Sequence, residues 1–405
     1  MIYLFYLLAA LLIYFSARSF RGGIDYLNYF KKELAKLPSA YAPFATVIAP
    51  CKGLDGDLDE NLTALIEQDY SKYEVIFVVD DKKDAAVNVI EKVSRRGAGP
   101  AKKTKLVIAP IATESGQKVE NLREAVLHAD ARSEVFVFVD SDARPVKHWL
   151  RSLISSLADP DIGAATGYRW FISRDLTFSS ELRNVWNASI ASYLGPDASG
   201  NFCWGGSTAI RRETFEKLDI REKWRGTLSD DFTLARAIHD AKLPIHFVPN
   251  ALTPTIENCT FREMVEFTTR QMKITRVYAP KLWLMSFLGS GLFCIVMIYA
   301  FLIVALSTHN DIKVLAAVLT LILVGGLSIA KSWLTLKAVR LVLTNHDADL
   351  RKQIVPQLTF WLISPFVFFY NCFAALMSRR LIWRGIAYEL VSNTQTRIVR
   401  PSGSE

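Results

Sequence analysis

Cysteine is scarce in this 405-residue chain: Cys51, Cys203, Cys259, Cys294 and Cys372 lie far apart and form no CxxC pair. Such spacing supports neither a zinc site nor a disulfide framework, and it fits a reducing compartment. The six histidines are equally dispersed, and His239 and His246 bracket a helix-to-strand turn rather than a ligand pair. No internal repeat or low-complexity segment is present. A basic stretch before the first apolar run, which a cleaved signal peptide would carry, is missing too. Arg18 and Arg21 follow the run instead, as expected of an uncleaved anchor whose next segment stays in the cytoplasm. The formal net charge is +8. Its basic residues flank apolar segments and form no aromatic-laced stripe, so an anionic membrane surface is the expected partner, with no nucleic acid.

What is abundant is apolar surface: 51% of the residues are hydrophobic. The excess concentrates in Met1 to Phe15 and, roughly, in Leu282 to Leu306, Val314 to Ala330 and Leu358 to Met377, each near the ~20 residues that span a bilayer. The expectation is an integral membrane protein with an N-terminal anchor (1–20), a soluble domain (41–280), about three C-terminal membrane helices (281–377) and a basic interfacial segment and tail (378–405). Three full spans would put that tail outside, against the positive-inside rule. Pro365 permits a kinked or re-entrant segment that keeps it cytoplasmic.

Between Tyr41 and Pro254 strand and helix patterns alternate. FATVIAP (Phe44 to Pro50), EVIFVVDD (Glu74 to Asp81), KLVIAP (Lys105 to Pro110) and the run from Val135 to Val139 read as strands. Leu58 to Gln68, Ala85 to Arg95 and Lys118 to Ala129 read as the helices between them. This alternation predicts an α/β fold with a doubly wound, mostly parallel sheet. Leu176 to Leu194 has apolar residues at helical spacing, either as an amphipathic helix at the membrane surface or packed on the sheet.

Asp80-Asp81 and Asp140-Ser141-Asp142 each end an apolar strand, and Asp230-Asp231 open a helix. Strand ends are rich in Asp for turn-forming reasons alone. Three acidic sets beside strongly apolar segments are costly to bury without a cation, and this predicts a divalent metal and a carboxyl with a raised pKa.

Several motifs in fixed order then carry a resemblance: PCKGLD (Pro50 to Asp55), QDYSKYEV (Gln68 to Val75), GQKVENL (Gly116 to Leu122), FVDSDARP (Phe138 to Pro145), Gly205-Gly206-Ser207 and SDDFTLARAI (Ser229 to Ile238). Together they resemble the family 2 type glycosyltransferases with the GT-A fold, and within them the ceramide glucosyltransferase branch. Bacterial hopanoid-associated glycosyltransferases are similar too. The resemblance implies a UDP-sugar site at Pro50, Lys52, Asp81, Lys118, Asp140, Arg270 and Lys273. It implies Mg2+ or Mn2+ on Asp140 and Asp142, and an acceptor side at Gly205, Gly206, Ser207 and Asp230. Asp231 would be the general base, or failing it the neighbouring Asp230. The implied reaction is inverting transfer of one hexose, expected from UDP-glucose, to a ceramide-like lipid hydroxyl by a bacterial inner-membrane enzyme with a cytoplasmic catalytic domain.

The chain departs from the family's (Q/R)xxRW pattern at Arg270-Gln271-Met272-Lys273-Ile274, where Lys273 replaces Arg and Ile274 replaces Trp. Lysine remains a point charge for phosphate but makes no bidentate fork. Loss of the aromatic platform weakens the case for a processive polysaccharide synthase. The sequence is also compatible with a hopanoid or diacylglycerol acceptor, with an inactive homologue and with a non-catalytic membrane scaffold. SRRLIWRGIAYEL (Ser378 to Leu390) reads as an interfacial belt around Trp383 and Tyr388, and similar endings accompany related bacterial glycosyltransferases without an assigned role.

Overall fold

The structure, a computed structural model, describes residues 2–96, 103–307 and 311–399. It divides into two compact units. An α/β unit comprises Lys32–Ile172, Leu194–Glu257 and the residues from Arg379 onward. A helical unit comprises the residues up to Lys31, Ser173–Tyr193 and Asn258–Ser378. The end of the basic tail, 400–405, lies outside the described residues.

All described strands belong to the α/β unit: β1 (Ala45–Pro50), β2 (Tyr73–Val79), β3 (Lys103–Ile108), β4 (Val135–Phe138), β5 (Ala164–Thr166), β6 (Arg169–Ile172), β7 (Thr208–Arg211), β8 (Ile245–Phe247), β9 (Thr253–Ile256), β10 (Arg380–Trp383), β11 (Ile386–Leu390) and β12 (Thr396–Ile398). The main sheet runs β3-β2-β1-β4-β7-β5-β8. β3, β2, β1 and β4 are parallel, whereas β7 runs antiparallel to both β4 and β5. β2 is buried along its whole length: Val75–Val79 is unbroken apolar and aromatic sequence, as a strand covered on both faces requires, and the one charge, Glu74, is paired with Lys105 at 2.8 Å. The helices Leu58–Ile66, Ala86–Arg96 and Gln117–Ala125 connect these strands. One face of the core closes around Phe136, Phe138, Phe215 and Trp224, with edge-to-face ring contacts at 5.2 to 5.4 Å.

The winding positions the site. From β1 the chain builds outward through β2 to β3 and returns to the other side of β1 at β4, so the direction of winding reverses between β1 and β4. At such a reversal a crevice opens at the C-terminal strand ends. Asp80 follows β2 and Asp140 follows β4, as the strand pattern predicts.

Among the described residues three helices are long and apolar enough to cross a membrane: Ile2–Leu34, Pro280–Leu306 and Ile312–Val342. The last two are the first two expected C-terminal spans. The third apolar stretch is a broken pair, Ile354–Leu362 and Ser364–Met377, bent by 56° with Pro365 at the break. Helix Phe178–Ala191 is neither a surface amphipathic helix nor one packed on the sheet. It lies in the helical unit and is buried on most of its surface, with Trp186 stacked 4.7 Å from Phe368 and packed on Met272 and Cys372.

Candidate active site

The first part of the site is a cavity of about 340 Å3 whose lining includes Lys52, Asp80, Asp81, Gln117 and Ile386. Pro50 ends β1, and the turn after it is held at Gly53, whose φ of +68° suits glycine. The Gly53 amide donates to both Asp84 oxygens at 2.9 and 3.1 Å. The Lys52 ammonium is paired with Asp80. Asp81 is exposed, and its Oδ1 accepts from the Lys83 amide at 2.9 Å. At the cavity's helical side, Gln117 Nε2 donates to Asn121 Oδ1 at 2.9 Å.

The second part is a knot of buried acids and bases. Lys118 Nζ lies 2.7 Å from Asp140 Oδ1 and 3.3 Å from Asp230 Oδ1. Arg169, at the start of β6, reaches Asp140 Oδ2 at 3.0 Å and Asp142 Oδ2 at 3.5 Å, and its guanidinium lies 4.7 Å from the Trp204 ring centroid. Burial alone would lower Lys118, but Asp140, Asp230 and Asp231 outweigh it and hold the ammonium protonated above its ordinary range. Burial likewise pushes against ionised Asp140, yet Lys118 and Arg169 keep its carboxyl below the usual value. Burial pushes Asp142 up to about 6, with Arg169 pulling it down and Asp140 adding to the rise. The sequence expectation that buried acids need a cation is met in part by the chain's own Lys118 and Arg169.

Asp230 opens helix Asp230–Asp240, capped by the Ser229 side chain. It is 4% exposed, and burial pushes its carboxyl up to about 6 against the pull of Lys118. The adjacent Asp231 points elsewhere: its Oδ1 accepts from Ser229 Oγ and, at 2.7 Å, from the Phe232 amide. Gly205 is required by proximity, because a Cβ there would stand 2.3 Å from Asp230 Oδ2 and 2.9 Å from Lys118 Nζ. A Cβ on Gly206 would strike the Trp204 ring at 2.2 Å, and Ser207 Oγ accepts from Trp149 Nε1 at 2.8 Å.

The third part comes from the far end of the chain. β10, β11 and β12 form an antiparallel sheet within the α/β unit. At the β10–β11 turn, Arg384 makes a two-pronged ion pair to Asp55 at 2.5 and 2.8 Å, and Ser141 Oγ donates to the same carboxylate at 3.1 Å. Tyr388 Oη accepts from the Gln117 amide at 3.1 Å. An interfacial belt therefore does not describe this segment: Tyr388 is 2% exposed and Arg384 faces the strand-end motifs. Arg169 and Arg384 are the site residues that sequence reasoning left unassigned. The only signal for Arg384 is its place in the WRGxxY ending.

Asp81, Lys52, Lys118, Asp140, Asp142, Asp230, Asp231 and the Gly205-Gly206-Ser207 turn all belong to the α/β unit. Arg270 and Lys273 lie on helix Phe261–Tyr278 of the helical unit, where the Arg270 guanidinium is 5.5 Å from the Phe267 ring centroid. Burial holds Lys273 below the usual lysine range. Ile274, at the position of the family's Trp, is 5% exposed and presents no face to a ligand.

Among the described residues no three His, Cys, Asp or Glu side chains are placed to hold a metal by themselves. Two carboxylates nonetheless fit Mg2+ or Mn2+ as hard oxygen ligands, provided nucleotide phosphates complete the shell. Asp142 Oδ1 is a buried acceptor without a hydrogen-bond partner, and such an ion would satisfy it.

The model of glycosyl transferase family 21 matches residues 10–396. Among solved structures, the chain is similar to the mannosyltransferase PcManGT from Pyrobaculum calidifontis in complex with GDP-Man and Mn2+, at 19% identity over 91% of this chain and 98% of that one, TM-score 0.45. It is also similar to GalNAc-T7 with UDP, GalNAc and Mn2+, at 13% identity over 58% of this chain and 51% of that one, TM-score 0.41. Because the family match runs from the first apolar helix to the last described strand, the chain belongs to glycosyl transferase family 21, enzymes that move a sugar from a nucleotide-sugar donor.

Proposed function

We propose that this protein transfers one hexose from UDP-glucose to the hydroxyl of a ceramide-like lipid, with inversion at the anomeric carbon. The observation that carries the reading is the convergence of Asp140, Asp142, Asp230, Lys118 and Arg169 at the crevice beside β4. In a chain with three bilayer-length helices, a lipid is the acceptor whose delivery those helices explain. The catalytic domain is 41–280 supplemented by the β10–β12 segment, and it faces the cytoplasm, as Arg18 and Arg21 after the first apolar run favour.

In this reading Pro50, Lys52 and Asp81 hold the uridine end of the donor in the cavity between β1 and β2. Lys118 counters phosphate charge, a role the resemblance gives to Arg270 and Lys273 as well. Asp140 and Asp142 hold Mg2+ or Mn2+, which when bound offsets the charge developing on the departing diphosphate. Asp231 takes the proton of the acceptor hydroxyl. Both of its hydrogen bonds fall on Oδ1, leaving Oδ2 for that proton. The acceptor oxygen then bonds to the anomeric carbon as the bond from that carbon to the diphosphate oxygen breaks, and UDP leaves with the electron pair. Asp230, locked to Lys118 beside Gly205, Gly206 and Ser207, shapes the acceptor side and is itself no base.

The test is to incubate the purified protein with Mg2+ or Mn2+, a panel of UDP-sugars, and ceramide, hopanoid or diacylglycerol. UDP release and new glycolipid mass are followed together. One added hexose on ceramide with UDP-glucose is expected. A ladder of sugar masses, or transfer only to another lipid, would overturn the reading.

A further inference from the structure

A second cavity, of about 510 Å3, lies within the helical unit. Its walls are unusual for helices of this apolarity: nine serines and a threonine face it, with one cation, Lys331, and no Asp or Glu. Ser16 comes from the first long helix, Ser286 and Ser290 from Pro280–Leu306, Lys331 and Thr335 from Ile312–Val342, and Gln357 from the broken pair. Gln357 is 2% exposed, and its Nε2 has no hydrogen-bond partner. Lys331 takes part in no ion pair among the described residues. A buried amide N–H without an acceptor and a cation without an anion, both at one cavity wall, are costly unless a ligand supplies oxygen.

The cavity's depth is fixed by the sequence. Lys331 lies roughly 28 Å along its helix from Ile312 at 1.5 Å per residue, near the end of a bilayer crossing. Lys337 and Arg340 follow it, Lys281 precedes Ser286, and Arg18 and Arg21 bracket Ser19. Each long helix therefore contributes its basic-flanked end, the level at which lipid headgroups sit. Gly23 leaves room for the lysine stem, since a Cβ there would lie 3.1 Å from Lys331 Cγ.

We infer that this cavity, whose lining shares no residue with the acceptor side at Asp231, is a holding site for the headgroup of the acceptor lipid before reaction, a neutral headgroup bearing hydroxyls and an amide, and that Lys331 and Gln357 are its specificity-determining contacts. The inference rests on the lipid-acceptor reading above. Ten hydroxyls line it; those of Ser189, Ser192 and Ser290 already donate to carbonyls of their own helices and are left to accept, and the mixture of donors and acceptors that results matches such a headgroup. A phosphate only accepts, and a site built for one would call for more than a single cation, preferably arginine with its paired donors. The apolar remainder of the lining, Leu12, Phe293 and Phe368 among it, suits the chains just below the headgroup.

The test uses the full-length protein in phosphatidylcholine nanodiscs with UDP-glucose and a ceramide carrying a photoreactive diazirine near its headgroup. Labelling is expected in the peptides containing Ser286–Phe293 and Leu327–Thr335. In Lys331→Met and Gln357→Leu, the KM for ceramide should rise on the order of tenfold, while UDP affinity in the absence of lipid stays within twofold. The inference is overturned if wild-type enzyme glycosylates ceramide but the label falls elsewhere, if phosphatidylserine or phosphatidylglycerol displaces the label while ceramide does not, or if both variants keep the wild-type KM. If wild-type enzyme glycosylates no ceramide, the lipid-acceptor reading itself fails. Labelling of wild-type protein needs no variant, so misfolding of a variant does not blunt the test.

Discussion

Replacing Lys118 with Met keeps the apolar stem and removes the one ammonium shared by Asp140 and Asp230. The Lys118 side chain is 16% exposed, Asp140 19% and Asp230 6%, so the ion pairs are mostly desolvated. Removing one member of a buried pair costs about 3–5 kcal/mol, and the partial exposure places this variant near ~3 kcal/mol at pH 8. At 2–4 °C per kcal/mol for a unit of this size, the thermal midpoint should fall by roughly 6–12 °C. The cost must depend on pH. Asp230 is raised in the folded state, so its contribution to stability is fully present below its unfolded value and is lost as pH rises through about 6. Without Lys118, Asp230 rises further and Asp140 loses part of what holds it down, and that loss grows. At pH 5 Asp230 is already largely protonated while Asp140, held low, stays ionised, so the penalty should be smaller than at pH 8 without vanishing. Differential scanning fluorimetry of the detergent-solubilised variant and wild type at pH 5 and pH 8 measures both drops. An equal drop at the two pH values would refute the electrostatic account and leave packing as the cause.

Gly205→Ala inserts a methyl 2.3 Å from Asp230 Oδ2; overpacking of about 1–3 kcal/mol is expected, with transfer activity reduced far more than UDP binding, as read by turnover and calorimetry. Asp231→Asn should abolish hexose transfer while UDP affinity stays within twofold, and normal turnover on the true acceptor would remove Asp231 from its assigned role. Arg384→Gln breaks an ion pair in which the arginine is 43% exposed, so stability should change by no more than ~1 kcal/mol. A several-fold rise in the KM for UDP-glucose would place Arg384 on the donor, whereas an unchanged KM would make its pairing with Asp55 structural only.

The parallel half of the sheet was legible because strands covered on both faces must be almost continuously apolar, and Val135–Phe138 and Val75–Val79 are. The acidic ends were legible for the same reason, since charge after such a run stands out. What pattern reading missed are contacts across long stretches of chain. Arg169 meets Asp140 from 29 residues away and Arg384 meets Asp55 from 329, and neither separation leaves a period in the sequence. The prediction of a cation beside the acids was sound as electrostatics, but composition could not say that side chains would supply part of it. Helix Phe178–Ala191 was ambiguous because a helix buried on most faces has no clean polar side to read.

The last strands carry a consequence for topology and biogenesis. β10–β12 fold with the same unit as β1, although two bilayer-length helices and the bent pair intervene. A polypeptide can rejoin a domain on one face of a membrane only after an even number of crossings. If Pro280–Leu306 and Ile312–Val342 each cross, they supply two, and the bent pair then enters and leaves by the same face. The order of synthesis then matters. Arg384 reaches Asp55 only after every crossing has left the ribosome, so the α/β unit is completed last, and a chain truncated at Ser378 would be inserted yet lack the residue that clasps its first strand-end motif.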